Sequence, residues 1–158
     1  MSKNLSLVFG AIVSVIIAQL TGVIGSFFTF SSIQTWYNFL EKPAFSPPGW
    51  LFAPVWILLY TLMGIAAFLI WQKRGEEAKA ALSIYAIHLI SNALWSIIFF
   101  GLRNPGLAFL EIVVLWILIF VITVKFFKIE KIAGLLFVPY LFWVTFAAIL
   151  NFVVWRLN

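Results

Sequence analysis

The sequence predicts an all-α protein, an integral membrane bundle of five transmembrane helices that forms a single domain over residues 1–158. Hydrophobic residues make up 65% of the chain and charged residues only 9%, which lies outside the range of soluble domains. Several stretches without charge are each long enough for the roughly 20 apolar residues that a spanning helix needs. Five such helices use most of the chain, so no separate soluble domain is expected.

The spans are predicted from the gaps between charged residues. No charge occurs between Lys3 and Glu41, or within residues 43–72, 80–102 and 132–155, and a fifth span has Glu111 near its start. The helices are therefore expected at about residues 5–28, 50–72, 79–101, 106–127 and 132–155. The first apolar stretch exceeds the roughly 7–15 residues of a signal-peptide core, so we expect it to be retained as a helix.

The first loop, at about residues 31–49, is rich in aromatic residues and proline. Pro43, Pro47 and Pro48 fix their own φ angles and favour extended conformations in the residues before them. We therefore expect a stiff cover over one end of the bundle, with a short helical turn around residues 34–40. The other connections are short, which makes sequential helices antiparallel neighbours.

Basic residues divide unevenly between the two faces of the predicted bundle. One face has Lys3, Lys73, Arg74, Lys79, Lys125, Lys128 and Lys131, and the other has Lys42, Arg103 and Arg156. The positive-inside rule predicts that the first face, and the N-terminus with it, is cytoplasmic. This asymmetry accounts for the net charge of +5, so membrane lipid is an expected partner and nucleic acid is not.

Few residues favour enzyme chemistry. The chain has no cysteine, which excludes thiolate catalysis, disulfides and cysteine metal sites. The sequence contains no phosphate loop, no metal motif and no usable set of nucleophile, base and orienting group. We predict no metal and no required cofactor. The single histidine, His88, is expected to satisfy a hydrogen bond between helices, with axial ligation of haem iron as the alternative.

Tryptophans inside the spans are the unusual feature, because membrane tryptophans normally lie in the interfacial belt. The interior ones are Trp56, Trp95, Trp116 and Trp143. At a rise of about 1.5 Å per residue, three of these lie with Asn92 and Ala147 in the half of the bilayer beneath the first loop. Aromatic walls, a small residue and a buried amide are typical of a pocket for a flat hydrophobic ligand. Ordinary aromatic packing between helices explains the same spacing, and both interpretations stay open.

Glu111 is an acidic residue inside a predicted span, where polar groups are costly and usually face the bundle interior. Arg103 is close enough along the chain for a structural ion pair or a snorkelled contact. A role with a ligand or a proton is the alternative.

Several motifs occur in an order that resembles one family. They are Trp36-Tyr37, Leu40-Glu41-Lys42-Pro43, Ser46-Pro47-Pro48-Gly49-Trp50, Trp56-Ile57-Leu58-Leu59-Tyr60, Asn92-Ala93-Leu94-Trp95-Ser96, Pro139-Tyr140-Leu141-Phe142-Trp143, Phe146-Ala147 and Leu150-Asn151. From the first loop to the last helix, this pattern resembles the translocator-protein family, TspO/MBR, which includes the tryptophan-rich sensory proteins. The first helix contributes nothing specific to the resemblance.

The resemblance implies a five-helix fold whose pocket, covered by the first loop, binds porphyrins, haem-related compounds and benzodiazepine-type drugs. Porphyrin or haem is then a ligand and not a required cofactor. Carried over by matching motif, the pocket residues are Tyr37, Trp56, Asn92, Trp95, Trp143, Ala147 and Leu150. Members of the family are commonly dimeric, so the resemblance also implies a homodimer.

Three functions are compatible with this resemblance. The first is a membrane receptor or sensor that binds tetrapyrroles and other flat hydrophobic ligands and influences their transport or metabolism. The second is a tetrapyrrole or lipid transporter, which the lack of internal repeats disfavours. The third is light-dependent porphyrin degradation, in which Trp56 and Trp143 are the candidates for redox chemistry.

Overall fold

The computed structural model describes the backbone of residues 3–158 and the side chains of residues 5–158. Within these residues the protein is helical and has no strand. The long helices are α1 (Lys3–Ile33), α2 (Phe52–Lys73), α3 (Glu76–Ser96), α4 (Pro105–Ile129) and α5 (Lys131–Leu157). All five are long and apolar enough to cross a membrane. The predicted fold class is confirmed.

Two helix boundaries differ from the prediction. Helix α1 continues to Ile33, where the sequence is already polar. Hydroxyl groups such as that of Thr29 bond to carbonyls of the preceding turn, so their polarity does not end the helix. At its other end, α3 does not run as a regular helix to residue 101. It changes to a π-helical segment at Ile97–Gly101, where Leu102 N donates to Ile97 O at 2.9 Å.

The helices form a closed ring in the order α1, α2, α5, α4, α3. Helix α1 packs against α2 and α3, and α5 packs against α2 and α4, while α2 also contacts α3 and α4 across the ring. Short connections therefore do join helices that contact one another, as the sequence predicts.

Two polar contacts show which connections share an end of the bundle. Lys73 and Glu130 form an ion pair, so the α2–α3 and α4–α5 turns lie together. The hydrogen bond from Lys73 lowers the pKa of Glu130 below its ordinary value. At the opposite end, Asn158 bonds to the backbone of Glu41 in the first loop. The side chain of Lys3 lies outside the described residues, and which end is cytoplasmic stays a prediction.

The half of the bundle nearer the basic end is a packed core. Fully buried side chains from α2, α4 and α5 fill it: Met63, Ile70, Ile119, Ile122, Phe126 and Phe137. The rings of Phe126 and Phe137 lie edge to face with centroids 5.1 Å apart. In the opposite half of the bundle, beneath the first loop, more side chains are only half-buried.

Candidate ligand-binding site beneath the first loop

Trp143 has the clearest unused polar group in this half of the bundle. Its ring lies against Phe52 and Phe146, with centroids 5.9 and 5.8 Å away, and is only half-buried. Its indole Nε1 is buried and has no hydrogen-bond acceptor among the described residues. An unpaired buried donor costs about 1–3 kcal/mol. A ligand with an acceptor atom at this position would remove that cost.

A chain of hydrogen bonds crosses the bundle immediately below Trp143. The Tyr60 hydroxyl donates to Asn92 Oδ1 at 2.6 Å, and Asn92 Nδ2 donates to the Tyr140 hydroxyl at 2.7 Å. His88 continues the chain through Nε2 to Tyr140 at 2.9 Å and through Nδ1 to the Tyr85 carbonyl at 3.2 Å. A carbonyl only accepts, so His88 Nδ1 carries the proton and Nε2 accepts from Tyr140.

This chain determines the roles of the predicted polar residues. His88 is fully buried and joins α3 to α5, so the predicted hydrogen bond between helices is confirmed. Asn92 is also buried, and its oxygen and one N–H are held by Tyr60 and Tyr140. Asn92 therefore supports the floor of the site through these two tyrosines.

The other predicted tryptophans have fixed rings. Trp56 stacks on Tyr60 with centroids 5.4 Å apart. Trp95 stacks on Phe99 at 5.2 Å, and its Nε1 donates to Asn151 Oδ1 at 3.0 Å. Asn151, on α5, in turn donates to the Pro105 carbonyl at 2.8 Å. These two bonds connect the Trp95 ring on α3 through α5 to the start of α4.

The predicted residues fall in two adjoining hydrophobic clusters. Tyr37 and Trp95 pack against the cluster that contains Leu150, whereas Trp56, Trp143 and Ala147 pack against the larger core. Trp95 contacts both clusters and joins them. The fold thus gathers these residues in one half of the bundle, and their role in ligand binding stays a prediction.

Ring contacts such as that between Phe52 and Trp143 lie between these walls. Two cavities of about 470 and 540 Å³ occur elsewhere, one between α4 and α5 and one beside the start of α4. None of the predicted pocket residues lines either cavity. A ligand beneath the first loop would therefore have to replace ring contacts such as that between Phe52 and Trp143.

The first loop covers this half of the bundle, and it has the predicted helical turn, at Tyr37–Phe39. Phe45 lies edge to face with Phe146 at 6.3 Å, directly above the Trp143 region. Lys42 Nζ lies 4.7 Å from the centre of the Tyr37 ring. Burial raises the pKa of Tyr37 above its ordinary value, so it stays a neutral phenol.

Asn158 ties this loop to the end of α5 by two hydrogen bonds of 3.0 Å to the backbone of Glu41. Replacing Asn158 with alanine is expected to raise hydrogen exchange at the Glu41 amide several-fold, because its acceptor is lost. Exchange measured by mass spectrometry on the loop peptide tests this. The matched control is Asn38→Ala, since Asn38 contributes only its backbone carbonyl to the loop's hydrogen bonds. Equal hydrogen-exchange rates at Glu41 in the two variants would contradict the attachment of the loop by Asn158.

The prediction that Glu111 pairs with Arg103 is wrong. Glu111 Oε1 accepts a hydrogen bond from Ser91 Oγ on α3 at 2.5 Å, whereas Arg103 donates to Thr35 at 3.2 Å. The reason is geometric: Glu111 is part of the α4 face that packs on α3, and Arg103 precedes α4 in a left-handed conformation with φ of 53°. Glu111 Oε2 is buried without a partner among the described residues.

Sequence reasoning missed Tyr140 and Phe52 as parts of the site. Tyr140 is fully buried and bonds to both His88 and Asn92. A signal for it existed, since a tyrosine in the middle of a span needs a partner for its hydroxyl. Nothing in the sequence singles out Phe52, whose role depends on where the first loop enters α2.

The comparison with known proteins agrees with this architecture. The sequence model of the TspO/MBR family matches residues 14–156. The chain belongs to the TspO/MBR family. This family member is 42% identical to the "Tryptophan-rich protein TspO" of Archaeoglobus fulgidus, over 93% of this chain and 95% of that one. It is 42% identical to the "Tryptophan-rich sensory protein" of Cereibacter sphaeroides, over 78% and 77%. It is 36% identical to the "Translocator protein" of Homo sapiens, over 85% and 82%.

Family membership and the five helices together identify this TspO/MBR protein as an integral, multi-pass membrane protein. The family match begins at residue 14, within α1, and ends at residue 156, close to the end of α5. It therefore includes the first loop and all of the predicted pocket residues.

Proposed function

We propose that this protein is a membrane receptor or sensor that binds porphyrins and other flat hydrophobic ligands beneath the first loop. The observation that carries the proposal is the Nε1 of Trp143, which is buried and has no acceptor within the described part of the chain. It is a single hydrogen-bond donor set among aromatic rings, which suits a planar apolar molecule with an acceptor at one edge. Porphyrins offer such acceptors in their carboxylate side chains.

The surroundings of Trp143 support the same ligand class. Trp56, Trp95 and Trp143 are each half-buried, so each keeps some exposed surface. Flat rings gain from offset stacking or edge contacts with such side chains. Below them, the hydrogen-bonded chain through Asn92 and Tyr140 forms a rigid floor. A ligand would displace the rings of Phe52 and Phe146 that contact Trp143 and leave the floor intact.

The names of the relatives support a sensory or transport role. One relative is called a sensory protein and another a translocator protein. Between these roles we favour sensing, because alternating access needs two arrangements of the bundle. The single ring of helices here is tied together at both ends by Lys73 with Glu130 and by Asn158 with Glu41.

Replacing Trp143 with phenylalanine is expected to raise the Kd for protoporphyrin IX about tenfold, because a hydrogen bond to a charged acceptor contributes about 1.5–3 kcal/mol. Titration of the detergent-solubilised protein, followed by ligand absorbance, measures the Kd. The matched control is Trp116→Phe. Trp116 is a tryptophan of α4 whose Nε1 is already bonded to Thr145 at 2.7 Å, so the Kd should not change. Non-saturable binding, or equal Kd values for wild type and Trp143→Phe, would refute the proposal.

Two alternatives are tested with the same samples. Light-dependent porphyrin degradation, with Trp56 and Trp143 as redox residues, predicts a new absorbing product after illumination that Trp143→Phe suppresses. Transport predicts movement of a porphyrin across vesicles containing the protein. Saturable binding without a light-dependent product and without movement of the porphyrin would support the receptor proposal and exclude both alternatives.

We extend the proposal to assembly and orientation, with a homodimer whose N-terminus is cytoplasmic. Light scattering of the purified protein with detergent correction measures the mass, and a monomer at all concentrations would refute the dimer. Labelling of single cysteines introduced beside Lys79 and at Asn38 tests the orientation, because the chain has no native cysteine and the two positions lie at opposite ends.

A further inference from the structure

A polar cavity of about 540 Å³ lies outside the proposed porphyrin site, at the first-loop end of the bundle. Trp36 of the first loop, Arg103 and Gly106 near the start of α4, and Trp155 of α5 line it. Its volume is within the range of small-molecule sites in proteins. The cavity therefore has room for a ligand group, with one cation and two indole rings in its walls.

Arg103 is the cation of this cavity, and it has no carboxylate partner among the residues that the structure describes. The ion pairs among the described residues are Lys73 with Glu130 and Lys79 with Glu76, both at the other end of the bundle. One guanidinium nitrogen of Arg103 donates to Thr35 Oγ1 at 3.2 Å. The guanidinium has five N–H groups, so donors remain for an anion.

The charges around the cavity also favour an anion. Lys42 and Arg156 lie at the same end of the bundle as Arg103, where the acidic side chains are Glu41 in the first loop and Glu111 inside α4, which bonds to Ser91 and does not line the cavity. Glu41 does not line the cavity, and its contact with the neighbouring Asn158 is made through its backbone. The Arg103 backbone has a φ of 53°, a conformation that is uncommon for a residue other than glycine and is found more often at functional sites.

An apolar groove of about 470 Å³ lies beside this cavity, along the membrane face between α4 and α5. Phe109 and Val113 line it on α4, and Ala148 lines it on α5. Its one hydroxyl, on Thr145, already bonds to the Leu141 carbonyl and to Trp116. Trp155, a wall of the polar cavity, stacks on Phe109 with centroids 5.9 Å apart, so the two spaces share a boundary.

We propose that an anionic phospholipid binds here, with its phosphate at Arg103 and an acyl chain in the groove between α4 and α5. A guanidinium recognises phosphate through paired hydrogen bonds, and the Gly106 N–H in the first turn of α4 adds a donor at the same place. A free phosphate would leave the apolar groove unused, and an uncharged lipid would leave Arg103 without an anion. A cation and an apolar groove that lie side by side select a molecule that has both parts.

Native mass spectrometry of the delipidated protein, with dioleoylphosphatidylglycerol or dioleoylphosphatidylcholine as the probe, tests the proposal. The wild type is expected to retain one phosphatidylglycerol about tenfold more strongly than phosphatidylcholine, and Arg103→Gln to lose that preference. Arg156→Gln is the matched control, because it removes the same charge from an exposed residue at the same end that does not line the cavity. Equal losses in the two variants would mean a general surface-charge effect and would overturn the site.

A groove variant separates the lipid from a free anion. Val113 is 40% exposed, so Val113→Trp fills the groove without disturbing the core and is expected to reduce phosphatidylglycerol binding about tenfold. Unchanged binding in this variant, or displacement of the lipid by inorganic phosphate, would overturn the proposal in favour of a simple anion site. Thermal unfolding of each variant in the same detergent verifies that it is folded. Protoporphyrin binding is measured in parallel and is expected to stay at the wild-type level.

Discussion

Replacing Tyr140 with phenylalanine is expected to lower the free energy of unfolding by about 3 kcal/mol, since two buried groups lose their partner at once. His88 Nε2 and Asn92 Nδ2 both bond to the Tyr140 hydroxyl, at 2.9 and 2.7 Å. All three side chains are buried. Each orphaned group costs about 1–3 kcal/mol, and the phenylalanine ring preserves the packing.

Tyr85 provides the matched control for this prediction. It lies in the same cluster, with its ring 5.5 Å from that of His88, but its hydroxyl is buried and has no partner among the described residues. Tyr85→Phe is therefore expected to leave the free energy of unfolding unchanged or to raise it slightly. Unfolding in detergent mixtures with increasing sodium dodecyl sulfate, followed by tryptophan fluorescence, measures both. Equal effects of the two substitutions would show that the hydrogen bonds add nothing beyond packing.

Gly64→Ala is expected to destabilise the contact between α1 and α2 by about 3 kcal/mol. A Cβ at position 64 would lie 2.5 Å from Val15 Cα and 2.9 Å from Val15 N. Backbone atoms of a packed helix cannot move aside as the end of a side chain can, so the two helices must separate. They would also lose the hydrogen bond of 2.7 Å from Ser14 Oγ to the Gly64 carbonyl. The opposing gain in helix propensity is only about 1 kcal/mol.

Gly49→Ala is the control, because a Cβ at position 49 meets nothing within 4 Å. It is expected to change the free energy of unfolding by less than about 0.5 kcal/mol, as surface substitutions usually do. Thermal unfolding in detergent compares the two variants. If Gly64→Ala were as stable as the wild type, the backbone of α2 at Gly64 would not pack directly against Val15 of α1.

The expected effects of substituting Tyr140 and Trp143 distinguish a rigid half of the bundle from an adaptable half. Tyr140 and Trp143 are less than one helical turn apart on α5, yet we expect the first to control stability and the second ligand affinity. Tyr140 is fully buried in a complete hydrogen-bonded chain. Trp143 is half-buried among rings and has an unused N–H. A floor that stays folded while the rings above it rearrange is what a receptor for varied flat ligands needs.

Much of this protein is determined by local sequence. A spanning helix needs about 20 apolar residues with its backbone bonded internally, so four charge-free stretches and a fifth that contains only Glu111 were enough to predict five helices. The positions of Trp56, Trp95 and Trp143 in one half of the bilayer followed from the helical rise alone. The end of α1 was predicted too early, because hydroxyl groups that bond back to their own helix look polar in the sequence although they do not end it.

Only the tertiary structure decided how the polar groups are paired, because those partners are far apart along the chain. His88 and Tyr140 are separated by 52 positions, and Glu41 and Asn158 by 117. The same holds for Glu111, which bonds to Ser91 on α3 and not to the nearby Arg103. The sequence determined which residues are costly to leave unpaired in a membrane, since that depends on residue type and depth. The packing of the ring of helices decided which of them found partners, and among the described residues it left Trp143 Nε1 without an acceptor and Arg103 without a carboxylate.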